Sequence, residues 1–403
     1  MKVNRKFLRS AERLSLSAIA KDSAAQKIVS AVTAIGFVMQ PVAALASTIT
    51  RENGTAVTFN NNGVADIFAS QVVNNNVAIN KFKDFQLDAN NIANMYFSTS
   101  KDSNSAGNLV NFVNSRIDIN GTVNAIQNKK IGGNLFFFSS DGMAVGKTGV
   151  INAGALYVAT PTKTAFDEYK KLDTEDKFNT IIKDEGFAKI PINASGTISV
   201  LGKVNAVNAV NLRAAKIGVG KNVSENTIGD VAAGATATGA SIRTGVVNFK
   251  DIVNTNKVKS GLSGTALTAK KTGSGDIVLA ASNNYNDNYK MLDDLSEIAG
   301  AKVEAELTVA NGAEVKAAGN AKLSVKALNN VVVEESDQYK ENYTPSTTTN
   351  SHLYGQIVTT NATVNVDGKV EAKQVDITAD AVNRYVSAES SVLNAHNITS
   401  NIV

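Results

Sequence analysis

Three times the chain alternates apolar and polar positions through one nine-residue frame: Ile117-x-Ile119-x-Gly121-x-Val123-x-Ala125, Ile198-x-Val200-x-Gly202-x-Val204-x-Ala206 and Val364-x-Val366-x-Gly368-x-Val370-x-Ala372. A period of two is the period of a β-strand, so each frame sends aliphatic side chains to one face and a polar set to the other. In the first copy that polar set is Asp118, Asn120, Thr122 and Asn124. The glycine midway along the apolar face marks a bend. A looser copy with one extra pair runs Leu307, Val309, Asn311, Ala313, Val315, Ala317, and Gly149-x-Ile151-x-Ala153 keeps the second half. Strand, corner and strand, repeated, predict an all-β solenoid, because no single copy can bury its apolar face and the copies must stack.

Around the frames the pattern changes. Residues 56–59, Ile67-Phe68, residues 77–79 and the positions Phe82, Phe85 and Leu87 read as short strands, separated by the Asn-rich turns 60–63 and 74–76. This aromatic-bearing N-terminal segment is suited to cap the open end of a solenoid. Residues 163–189 break the alternation and take helical spacing: Phe166, Tyr169 and Leu172, then Phe178, Ile181 and Ile182. Thr164 with Asp167 reads as the start signal and Gly186 as the stop, giving a helical excursion on the outside of the column. A second helix is expected over residues 289–299, and a Ser/Thr-rich loop with Pro345 over 344–351. About 300 residues in coils of roughly 20 would make a column on the order of 70 Å long.

The first 46 residues differ from the rest. A basic region is followed by an uncharged apolar stretch over 28–39, then Gln40-Pro41, then Ala44-Leu45-Ala46 ahead of Ser47. This is the pattern of a secretory signal peptide over residues 1–46, cut after Ala46. The apolar run is too short for the ~20 residues a membrane span needs, and no later segment is longer, so no transmembrane span is expected in the mature chain. Composition sharpens the reading. The chain of 403 residues is 43% hydrophobic and 6% aromatic, with no Cys and a net charge of +4. Seven Lys and Arg against Glu12 and Asp22 give the leader 7 − 2 = +5, which leaves 4 − 5 = −1 for the remainder. The basic balance therefore resides in the leader, which argues against a nucleic-acid-binding body. Without Cys there is no disulfide or thiol chemistry.

Candidate chemistry is sparse. Asp141-Gly142 through Lys147-Thr148 approximates a phosphate loop, but Asp141 stands where the first glycine belongs and the following residues are strand-like. The two histidines, His352 and His396, are far apart, so no metal or cofactor is expected. Gly273-Ser274-Gly275-Asp276 reads as a turn. The nearest carboxylate pairs, Asp294 with Glu297 and Glu334 with Glu335, sit in charged runs, so no catalytic residue is assigned.

One stretch is more specific. Gly133-Asn134-Leu135-Phe136-Phe137-Phe138-Ser139-Ser140-Asp141-Gly142-Met143 leads to Gly149-Val150-Ile151-Asn152-Ala153-Gly154-Ala155-Leu156, with Asn80-Lys81-Phe82-Lys83-Asp84-Phe85-Gln86-Leu87 upstream. Between them fall Asn111, Val113 and Arg116, then Ile119-Asn120-Gly121. In order and spacing this resembles the secretion domain of two-partner-secretion exoproteins of the filamentous-haemagglutinin type, over roughly residues 48 to 280. Ser139-Ser140-Asp141-Gly142 replaces that family's Asn-Pro-Asn-Gly, and Asp-Gly still suits a tight turn with φ > 0. The resemblance implies a right-handed parallel β-helix with an N-terminal β cap and extra-helical helix and hairpin excursions. It implies a secretion domain over 47–280 and further coils over 281–403. It also implies a partner, an outer-membrane β-barrel transporter whose periplasmic domains would read Asn80, Phe82 and Phe85 and the turn Ser139, Ser140, Asp141, Gly142 and Met143. The product would be a non-enzymatic adhesin, secreted or held at the cell surface of a bacterium with an outer membrane, binding a cell-surface receptor or glycan. The alternatives are a cytolysin of the same secretion class, which would need a membrane-seeking stretch not found after residue 47, or a β-helix polysaccharide-degrading enzyme.

Overall fold

Each nine-residue frame folds as two strands around its glycine: Ile117–Ile119 then Thr122–Gln127, Thr197–Val200 then Lys203–Ala214, and Val358–Val366 then Lys369–Glu371. Close approach, more than bending, explains the glycine. A Cβ on Gly202 would lie 2.2 Å from the Gly149 carbonyl oxygen, and one on Gly368 would lie 2.4 Å from that of Ala310. The corner of one coil rests on the carbonyls of the corner beneath it.

The computed structural model describes residues 47–291, 301–334, 358–387, 392–393 and 400–402. Within it the chain visits three parallel columns in turn. The first stacks 77–82, 108–113, 134–138, 155–159, 209–214, 276–281, 321–333 and 375–387 in register. The second runs from 85–87 through Met143–Val145 to Ser400–Ile402, and the third from Val64–Phe68 through Thr122–Gln127 to Lys369–Glu371. This is a parallel β-helix, with the aliphatic halves of the frames forming one continuous interior from Ile49 to Ala381. Eight rungs in the first column make seven steps of ~4.8 Å, or about 34 Å, half the length expected from sequence. The difference is taken up by chain that leaves the coils.

Those excursions cover the outer faces of the early coils. Helices α1 (Lys163–Tyr169), α2 (Glu175–Ile182) and α3 (Asp184–Ala188) bury Phe166, Phe178, Ile181 and Phe187 against Phe112, Phe136 and Phe138 of the first column. Residues 220–240 place Ile228, Val231 and Ala237 on Ala144 and Leu201 of the second. Residues 246–275 place Phe249 and Val253 on Ile126 and Val207 of the third. Strands covered on both sides read as unbroken apolar runs, as in Leu135 to Phe138, all buried. Along residues 321–327 the alternation is clean: Ala321, Leu323, Val325 and Ala327 are buried while Lys322 and Lys326 are exposed. A small hairpin also leaves the coil at Ile126↔Ile131, turned by Asn128 and Lys129 with φ of 49° and 62°.

At the N-terminal end the cap is antiparallel: Thr48–Arg51 and Gln71–Val73 both pair with Val77–Leu87. Several local expectations need correction. Residues 56–59 form no strand beyond a single bridge from Ala56 to Thr50. The first helix is capped by Thr162, whose side chain accepts from the Ala165 N–H at 3.4 Å, and not by Thr164, which lies inside it. Gly186 stops nothing. It sits within α3, where a Cβ would meet the Thr180 carbonyl at 2.0 Å, so its role is to let α3 pack on the end of α2. Residues 289–291 end the strand Asp276–Met291, because three long strands continue outward from the first column and pair with one another. The remainder of that expected helix, the leader with Ala44 and Ala46, the 344–351 loop, His352, His396, Asp294, Glu297 and Glu335 lie outside the described residues.

Candidate functional site

The interior of the first coils is not wholly apolar. Asn80 lies on the same side of its strand as Ala78 and Phe82, Asn111 is its partner on the next rung, and both are 0% exposed. Asn80 Nδ2 donates to Asn111 Oδ1 at 3.0 Å, and Asn111 Nδ2 donates to the Phe136 carbonyl at 2.9 Å. From the cap, the Arg51 guanidinium donates to Asn80 Oδ1 at 3.0 Å and the Ser70 N–H does so at 3.1 Å. Two buried amides are thereby satisfied at the closed end of the column. Phe82 packs edge-on to Phe85 with ring centroids 5.4 Å apart, and Phe85 to Phe137 at 5.6 Å. Arg51 was not legible as part of this site.

The second predicted segment is a turn on the corner between the first and second columns. The Gly142 N–H donates to the Ser139 carbonyl at 3.2 Å, and Gly142 has φ of +96°, as the Asp-Gly pair suggests. Met143–Val145 then continues as strand, so the region has no phosphate-loop geometry. Hydrogen bonds join this turn to the Asn80 segment. The Ser115 N–H donates to the Lys83 carbonyl at 3.2 Å, and Ser139 Oγ donates to the Ser115 carbonyl at 2.7 Å. Asn193 Nδ2 adds a bond to the Ser140 carbonyl at 2.9 Å. Both predicted segments thus share one corner, with a single rung between them. Seven of the eight residues, Asn80, Phe82, Phe85, Ser139, Ser140, Gly142 and Met143, are buried, and Asp141 alone is exposed. Ser47, the residue after the expected cleavage point, accepts at Oγ from the Asp88 N–H at 2.7 Å and from Asn91 Nδ2 at 2.6 Å.

A third arrangement escaped the sequence reading. On four successive early rungs of the third column one polar slot is dry. Asn94, Asn124, Asn152 and Asn205 stack in register on successive rungs, all buried, each donating to the one before: Asn124 to Asn94 at 3.0 Å, Asn152 to Asn124 at 2.9 Å and Asn205 to Asn152 at 3.0 Å. Their spare N–H groups hold the 246–275 excursion, Asn94 to the Ser260 carbonyl at 3.1 Å, Asn124 to that of Val253 at 3.1 Å and Asn152 to that of Ile252 at 3.0 Å. The signal was present as the triplets Val123-Asn124-Ala125, Ile151-Asn152-Ala153 and Val204-Asn205-Ala206.

Electrostatics tie the helices to the cap. Lys170, at the end of α1, pairs with Glu52 and donates to Asn114 Oδ1 at 2.8 Å. Burial alone would raise the Glu52 carboxyl, but the bond and charge from Lys170 outweigh it and hold it below its ordinary value. Tyr157, under α3, is pushed up to about 12 by burial and then by Asp184. Among the described residues no three His, Asp or Glu stand together as metal ligands, and no helix is long and apolar enough to cross a membrane.

Neither a protein-family model nor a curated protein matches the chain. Among solved structures it is similar to the crystal structure of the filamentous hemagglutinin secretion domain, at 13% identity and a TM-score of 0.31 over 85% of this chain and 100% of that one. It is also similar to the HMW1 secretion domain from Haemophilus influenzae, at 15% identity and a TM-score of 0.24 over 82% of each chain.

Proposed function

We propose that this chain is a secreted, non-enzymatic bacterial exoprotein, exported unfolded through a cognate outer-membrane β-barrel transporter and acting as an adhesin at the cell surface. Residues 1–46 serve as signal peptide, 47–280 as the secretion module and 281–403 as further coils. The observation that carries this reading is the burial of Asn80, Phe82, Phe85, Ser139, Ser140 and Met143 at one corner, which leaves them readable by periplasmic domains only before the chain winds. The fold suits such a route. Each rung pairs with the one before it, so coils close in order as chain emerges, and no disulfide locks a loop beforehand.

The test is binding of the transporter's periplasmic domains to the mature chain, held unfolded in urea or refolded. The expected result is binding to the unfolded chain alone, weakened about tenfold by Phe82→Ser together with Met143→Ser. Equal binding to the folded protein, or no effect of the double variant on the unfolded chain, would overturn the proposal. Gly142→Val is unsuitable as sole test, since its Cβ would meet the Thr197 carbonyl at 2.0 Å and block folding as well. Asp141→Lys, at the exposed position, reads recognition alone and should lower secretion of a normally folded product.

A further inference from the structure

The excursion pinned by the asparagine ladder also forms one wall of a groove. Two hollows, of about 450 and 770 Å³, meet at Asn90 and Lys257 along the corner between the second and third columns. The floor is a stack of rungs, Thr122, Val150 and Lys203 in register, with Asn90 beside them. The wall is held in place before any ligand arrives. Besides the three ladder bonds, the Val258 N–H donates to Thr255 Oγ1 at 2.8 Å, the Ser260 N–H donates to Asn254 Oδ1 at 2.7 Å, and Val253 is fully buried. A groove built this way loses little entropy on binding.

Its chemistry is of two kinds. Lys203, Lys257 and Lys259 are exposed and form no ion pair among the described residues, while Asp251 is the one acid along the lining. The chain after the leader sums to 4 − 5 = −1, so this is a local positive field on a slightly acidic body, the arrangement that gathers anions. Between the lysines stand Asn61, Asn62, Asn90 and Asn256, whose side chains are without hydrogen bonds among the described residues. Each amide offers both donors and acceptors. Phe59, half-buried, presents a ring at the wider end. No arginine lines either hollow, although arginine is the residue best fitted to phosphate.

We infer that this groove binds an acidic oligosaccharide, a chain bearing uronate or sulfate groups, laid along the column. The lysines meet its anionic groups, the asparagines its hydroxyls, and Phe59 the apolar face of a ring. The inference gives a ligand class to the adhesive role proposed above and is independent of the export route, since it is read on purified protein.

The experiment is calorimetric titration of the purified protein with a heparin octasaccharide, an oligogalacturonate, a neutral counterpart made by desulfation, N-acetylation and carboxyl reduction of the heparin octasaccharide, and an oligodeoxythymidylate of matched charge. At least one acidic sugar should bind, the neutral sugar should not, and the oligonucleotide should bind at least about tenfold more weakly. Lys257→Glu with Lys259→Glu should weaken sugar binding about tenfold or more, and Asn90→Ala, which leaves the charge unchanged, severalfold. All three positions are exposed, so unchanged thermal unfolding of the variants verifies the fold. Failure of both acidic sugars to bind, oligonucleotide binding as tight as sugar binding, or indifference to Asn90→Ala would each overturn the inference. None of these results bears on binding of the unfolded chain by a transporter.

Discussion

Replacing Asn124 with alanine tests the ladder where it is most loaded. Asn124 is 0% exposed and makes three hydrogen bonds, donating to Asn94 Oδ1 at 3.0 Å and to the Val253 carbonyl at 3.1 Å and accepting from Asn152 Nδ2 at 2.9 Å. Alanine leaves Asn94 Oδ1, the Val253 carbonyl and one Asn152 N–H without partners. A buried polar group left unpaired costs about 1–3 kcal/mol. The three costs do not simply add, because water entering the space of the lost amide takes over part of the bonding. We therefore expect a loss of about 3–5 kcal/mol. Asn205 makes one such bond, to Asn152 Oδ1, and Asn205→Ala should cost only about 1–2 kcal/mol. Urea unfolding followed by far-ultraviolet circular dichroism gives both values. Limited trypsinolysis supplies the spatial readout, since a loosened excursion should be cut first at Lys250, Lys257 and Lys259, all exposed. A loss no larger for Asn124→Ala than for Asn205→Ala, or cleavage there at the wild-type rate, would refute the latch.

Three further outcomes follow from packing and charge. Phe187 is fully buried, with its ring 5.3 Å from Tyr157 and 6.1 Å from Phe136, so Phe187→Ala should cost about 3–5 kcal/mol. Hydrogen exchange should show the loss in α1–α3, and not in the third column. Tyr96 and Tyr157 are both raised to about 12, chiefly by burial, so their neutral forms are favoured in the fold. The sign is that stability is intact below about pH 10, where the unfolded phenols begin to ionise, and falls as pH rises towards 12. A phenolate absorbance titration in which all nine tyrosines ionise together near pH 10 would contradict this. Gly202→Ala drives a methyl against the Gly149 carbonyl and should cost about 3 kcal/mol, measurable as a lowered urea midpoint.

How far the sequence could be read follows from what a period of two can convey. It tells which side chains share a face, and so the frames and the stacked interior were legible, whereas the parallel pairing of the columns was implied by the resemblance. It does not tell whether the second face is wet. Asn124 and Asn152 occupy the same slot as Arg243, Lys316 and Glu371 on later rungs, yet the first two are buried under an excursion and the last three face solvent. The helical excursion was legible because a 3.6-residue period and dense charge interrupt the strands. The other two covers have no period, since Ile228, Val231, Phe249 and Val253 are scattered anchors in irregular chain. At the candidate site, Asp141-Gly142 announced its turn locally, whereas Arg51 reaches Asn80 across 29 positions through an antiparallel cap that no local pattern encodes.

The separation of these contacts along the chain sets an order of assembly. Neighbouring rungs close over short distances, as between Asn80 and Asn111, 31 positions apart, whereas Asn94 meets the Ser260 carbonyl across 166. Loop-closure entropy rises only as the logarithm of length, so the longer closure costs about 1.5 kcal/mol more than the shorter. Three amide-to-carbonyl bonds at about 1 kcal/mol each, with the burial of Phe249 and Val253 at about 1.5–3 kcal/mol each, exceed that difference. The contacts of the cover on the third column therefore offset its longer closure once its residues are delivered, but it cannot form earlier. While the first rungs wind, the asparagine ladder and Ile126 stay open, and the wall of the lysine-lined groove does not exist. A chain halted before residue 246 would have its early rungs and its cap but no groove. For a protein that emerges from its N-terminal end, winding comes first and the capacity to bind arrives with the excursion.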